Sequence, residues 1–117
     1  MTDGTKGDGT LSERLANCYS GAVYDAMRYL GLPASVLPSE IRPLNPTDSL
    51  SGQVWTCEGG VEKGLDADTS LLGWTRLLSA APKGSIVICQ PNDSTVAHMG
   101  ELSAETLRTR GIPGYLV

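Results

Sequence analysis

The chain has no phenylalanine and a single histidine, His98, so its aromatic bulk rests on Trp55, Trp74 and four tyrosines. It has no run of lysines or arginines and a formal net charge of -4, which excludes general electrostatic binding to nucleic acid. No apolar stretch reaches membrane-spanning length, and the N-terminus lacks the basic and apolar regions of a signal peptide. A cytoplasmic protein without membrane attachment is therefore expected. CxxC spacing is also missing: Cys18, Cys57 and Cys89 are few, odd in number and far apart. Each lies in an apolar or mixed segment, so buried free thiols in a reducing compartment are expected, with a zinc site as the alternative.

What remains is an ordinary globular composition, 40% hydrophobic and 19% charged over 117 residues, enough for one domain with a core. Residues 1–10 (MTDGTKGDGT) read as a flexible leader and 11–117 as the domain. Thr10 and Glu13 stand at capping-box spacing, and Leu11, Leu15, Tyr19, Val23, Met27 and Leu30 recur as one helical stripe. Ser20-Gly21 interrupts this pattern, so one helix or two short ones fit equally. Prolines 33, 38, 43 and 46 then enforce an extended connection.

Residues 52–57 (GQVWTC) predict a strand and 58–68 a loop. Residues 69–80 predict a helix burying Leu71, Leu72, Trp74, Leu77 and Leu78. The apolar run 85–90 (SIVICQ) has the character of a strand covered on both faces. After Gly100 a helix is expected to about Arg110, ended by Gly111, with a new strand from Tyr115. Strands alternating with helices make the fold class α/β.

The start of that last helix is the main functional candidate. A helix N-terminus presents unpaired amides and partial positive charge, so it favours anions. Gly100 either lets a ligand approach the backbone amides of Glu101, Leu102 and Ser103 or merely permits a tight strand-to-helix turn. His98 precedes the turn, and no Ser or Cys partner can be assigned to it by spacing. Asp93 and Glu101 flank it as candidates for a metal or its waters, or as solvated loop charges. Asp25 reads as a helix-surface or capping charge.

The segments SGAVYDAM (20–27), LSG (50–52), APKGSIV (81–87), GELSAET (100–106) and RGIPG (110–114) occur in an order and spacing that resemble the RraA-like family. That family includes ribonuclease E activity regulators and the 4-hydroxy-4-methyl-2-oxoglutarate/4-carboxy-4-hydroxy-2-oxoadipate aldolases; members often carry the label dimethylmenaquinone methyltransferase. The resemblance spans about Leu11 to Val117, and the Gly100 segment is its most specific part. It implies a swivelling β/β/α domain assembled as trimers or hexamers, and a class II pyruvate aldolase dependent on Mg²⁺ or Mn²⁺ that also decarboxylates oxaloacetate.

By the same resemblance, Gly100, Glu101, Leu102 and Ser103 hold the carboxylate of a small 2-oxo acid. The family motif continues, twenty residues after its glycine, to an Arg-Asp pair in which the Arg is catalytic and the Asp binds the metal. Counted from Gly100, that pair falls beyond Val117. These residues therefore hold neither the catalytic pair nor that metal ligand, and Arg108 and Arg110 lie at the far end of the last helix, where they complement its dipole instead. A chain truncated at its C-terminus, inactive alone, is the expectation. The alternative within the family is a non-catalytic regulator that binds a ribonuclease or a related partner.

Overall fold

The structure, a computed structural model, describes residues 10–117, and the chain divides into two units after Ser51. The leader expected over residues 1–10 lies, Thr10 apart, outside the described residues. In the first unit Thr10 starts helix α1 (Leu11–Leu15) by reciprocal capping. The Glu13 amide donates to the Thr10 hydroxyl at 3.3 Å, and the Thr10 amide donates to the Glu13 carboxylate at 2.6 Å. A break over residues 16–19 separates it from α2 (Ser20–Tyr29), so the interrupted pattern resolves as two helices. Gly31, at φ 69°, and then Pro33 end the second.

The apolar stripe does not become a buried face: Leu15, Val23 and Met27 are half-buried, while Leu11, Tyr19 and Leu30 are exposed. No described residue before Gly52 is buried. Residues 32–51 form turns and extended chain, and the Ser51 hydroxyl donates to the Ser12 carbonyl at 2.6 Å, tying the end of this unit to α1.

The second unit runs β1 (Gln53–Glu58), α3 (Ala67–Ala80), β2 (Ser85–Gln90), α4 (Glu101–Thr109), β3 (Gly114–Leu116). The three strands form one parallel sheet in the order β1-β2-β3, each pair joined through a helix as parallel pairing requires. The fold is α/β, with a small open sheet. β2 is central and buried along most of its length, as the apolar run predicted. Its Val87, 0% exposed, packs with Leu78 and Ala81 at the end of α3, Leu107 of α4, and Ile112.

The expected helix over residues 69–80 starts two residues earlier, because Asp66 caps it. One Asp66 carboxylate oxygen accepts from the Thr69 amide at 2.8 Å and the other from its hydroxyl at 2.7 Å. The buried face expected of this helix is narrower than its leucines suggested. Leu78 is buried and Trp74 and Leu77 half-buried, but Leu71 and Leu72 are exposed, since a small sheet covers only one stripe. At the end of α4, Gly111 adopts φ 77°. Its amide and that of Ile112 donate to the carbonyls of Arg108 and Leu107, a paired C-terminal cap. Arg110 reaches across to donate to the Ser79 carbonyl in the last turn of α3.

Candidate functional site

β2 ends at Gln90, on the carboxyl side of the sheet where parallel α/β folds bind their ligands. Residues 91–99 lead from there into α4. Asn92 anchors the start of this loop at φ 54°, a left-handed conformation that Asn tolerates. Its amide group donates to the Glu58 carboxylate at 3.1 Å and the Gly59 carbonyl at 2.8 Å, which binds the ends of β1 and β2 together.

Asp93 organises the next turn. Its Oδ1 accepts from the Thr95 hydroxyl at 2.7 Å and the Thr95 amide at 3.1 Å. These two bonds, the hydroxyl's first, hold its carboxyl below the usual carboxylate range, with His98 adding a smaller Coulombic contribution. His98 Nε2 lies 2.9 Å from the Asp93 carbonyl oxygen and 3.3 Å from Asp93 Oδ2. A carbonyl only accepts, so Nε2 carries the hydrogen of this bond.

α4 begins at Gly100, whose φ of -126° and ψ of 171° are extended and which supplies no side-chain cap. The first α4 amide to find a helical acceptor is that of Ala104, bonded to the Gly100 carbonyl at 2.9 Å. The amides of Glu101, Leu102 and Ser103 are thus the open donors of the helix start. At this helix start lies a hollow of about 300 Å³ lined by Trp74, Ala97, His98, Met99, Gly100 and Ser103. The Trp74 indole N–H donates to Ser103 Oγ at 2.8 Å. Indole is a donor only, so Ser103 Oγ accepts and its own hydrogen is left to point elsewhere. A Cβ added at Gly100 would meet nothing within 4 Å. Neither the backbone conformation nor crowding within the chain requires a glycine there.

Of the residues singled out by sequence, Gly100 and Ser103 line this hollow, whereas Glu101 is exposed and Leu102 is 85% exposed. Neither Glu101 nor Leu102 lines the hollow. Asp93 organises the loop that delivers His98 to the hollow, and Asp25 is exposed on α2. Trp74 and Met99 escaped the sequence reading. Trp74 counted only as core, yet a tryptophan at the edge of a core carries a polar N–H that needs a partner. The cysteines also differ from expectation: Cys89 is buried and Cys57 half-buried, but Cys18 is exposed.

A family model described as RraA-like: Aldolase/RraA matches residues 20–117. The chain belongs to the RraA-like family. No curated protein and no solved structure matches it. The match takes in every element of the RraA-like chain from α2 onwards, including the glycine-led start of α4. Among the described residues no group of three or more His, Cys, Asp or Glu side chains is placed to bind a metal ion. No described helix is long and apolar enough to cross a membrane.

Proposed function

We propose that this RraA-like chain supplies the pyruvate-carboxylate site of a class II pyruvate aldolase. The reaction is cleavage of 4-hydroxy-4-methyl-2-oxoglutarate or a related branched 4-hydroxy-2-oxo diacid, with oxaloacetate decarboxylation as a side activity. The observation that carries the reading is the uncapped start of α4, with three open amides and a hollow from which Gly100 withholds a side chain. In this reading the amides of Glu101, Leu102 and Ser103 receive the substrate carboxylate, and the Ser103 hydroxyl, fixed by Trp74, adds a fourth donor. Oriented donors of this kind hold negative charge without reorganising as the reaction proceeds.

An exposed helix start contributes about 0.3–1 kcal/mol to anion binding, and up to about 2 kcal/mol when partly buried. Alone it supports weak binding. Assembly as a trimer or hexamer belongs to the same proposal, supported by the many exposed apolar side chains among residues 10–51.

The test is a titration of the isotopically labelled chain with pyruvate and with oxalate, followed by amide NMR. Saturable shifts centred on Glu101, Leu102 and Ser103 are expected, without pyruvate release from oxaloacetate by these 117 residues alone. A chain whose α4 amides ignore both anions does not carry this site.

A further inference from the structure

His98 lines the α4 hollow, yet the site above gives it no role. It is the one ionisable side chain among the lining residues. Its partner Asp93 is a buried anion, with a side chain only 9% exposed. Asp93 Oδ1 is occupied by the Thr95 hydroxyl and amide, bonds that hold the carboxyl below the usual carboxylate range and so ionised. The other oxygen, Oδ2, is buried and accepts no hydrogen bond. Its ionic partner, His98 Nε2, is 3.3 Å away, and Nε2 directs its hydrogen at the Asp93 carbonyl instead, at 2.9 Å. A buried carboxylate oxygen without a donor is costly unless a counter-charge stands beside it.

We propose that His98 is a second contact for the anion bound at the start of α4 and meets it as the imidazolium, with Asp93 as the residue that positions the ring. The proposal rests on the carboxylate reading of the α4 amides and adds to it the source of the balancing charge. Asp93 holds Nε2, so Nδ1 is the ring nitrogen left for a ligand. A neutral ring with its hydrogen on Nε2 offers an anion only a lone pair there. With a proton taken from solvent at Nδ1, the ring donates at both nitrogens, one toward Asp93 and the other toward the ligand carboxylate. No other bond forms or breaks.

The surrounding charges favour that state once an anion is present. A carboxylate entering the hollow is repelled by the Asp93 charge unless a cation lies between them. His98, which contacts Asp93 and lines the hollow, is placed to be that cation. Of the helices that line the hollow, α3 contributes Trp74 and α4 contributes Ser103, neither of which ionises. Glu101, in the first turn of α4, is exposed and does not line it. The α4 start is itself partly positive, which opposes an imidazolium in the empty site and is offset when an anion binds. Protonation and binding are therefore coupled, each favouring the other.

The experiment titrates pyruvate into the labelled chain at a fixed pH above neutrality and follows the backbone amides together with the ring nitrogens of His98, the chain's single histidine, by NMR. Saturation should shift the amides of Glu101, Leu102 and Ser103 and convert Nδ1 to its protonated form. Affinity should fall as pH rises, by at most about tenfold per pH unit for one coupled proton. His98→Gln keeps a donor for the Asp93 carbonyl but takes up no proton, so it should bind more weakly and lose the pH dependence. Asp93→Asn, which removes the buried charge, should reduce the share of Nδ1 protonated at saturation. Amide shifts without His98 protonation, a His98→Gln chain with wild-type affinity and pH dependence, or unchanged protonation in Asp93→Asn each overturn the inference and leave the α4 site standing. Absence of amide shifts in the wild-type chain instead overturns the α4 reading, and this inference with it.

Discussion

Gly100 occupies a conformation that any residue adopts, with open space where a side chain would grow. Two substitutions there should therefore separate folding from binding. Gly100→Ala should cost at most about 1 kcal/mol, the usual N-cap preference, as read by thermal melting. Gly100→Val should stay folded yet lose the pyruvate-induced shifts at Glu101 to Ser103, because its branched side chain enters the space that the proposed function gives to the carboxylate. Equal pyruvate binding by wild type and Gly100→Val would remove Gly100 from the site.

Asp93 gives a second residue-scale outcome. Its carboxyl is depressed by the Thr95 bonds, so the stability it lends the loop is present above the unfolded value of about 3.9. That stability is lost as pH falls through the lower folded value. The Thr95 and Val96 amides should titrate in that acidic window, and Asp93→Asn should abolish the titration while keeping the turn. An unchanged titration in Asp93→Asn would assign it to another group.

Among the elements, α4 is held to the core chiefly by Leu107, which is 4% exposed. Leu107→Ala should cost about 2–5 kcal/mol in denaturant unfolding. If the loss stays below 1 kcal/mol, α4 is anchored by something else. Element type was legible wherever one local signal dominated. The Thr10–Glu13 capping box, the unbroken apolar β2 and the Gly111 stop all lie where the sequence put them. Burial was less legible, because it depends on how much surface the neighbours offer. Leu71 and Leu72 satisfy a helical stripe as well as Leu78 does, yet a three-stranded sheet leaves them exposed. In the site, Gly100 was legible from its place before a helix pattern. The Trp74–Ser103 bond was not, since no local rule links side chains on two helices separated by a strand.

For the whole molecule, the first unit raises the question of what covers its apolar side chains. Tyr29 is 91% exposed and Leu44 107%. Light scattering should find the chain associated, in line with the proposed trimer or hexamer, and a stable monomer across micromolar concentrations would contradict that proposal. The sheet of the second unit has a further consequence, in time rather than in space. Each strand pairs with a partner roughly thirty residues away in the chain, so no hairpin can form first and guide the rest. β2 makes both pairings, so the sheet cannot begin without it, and such non-local closure favours folding in milliseconds or slower. Val87, at the centre of both ladders, should therefore sit in the folding nucleus. Val87→Ala is expected to slow refolding in stopped-flow chevrons more than it speeds unfolding; if the change falls on the unfolding arm instead, the helices assemble before the sheet does.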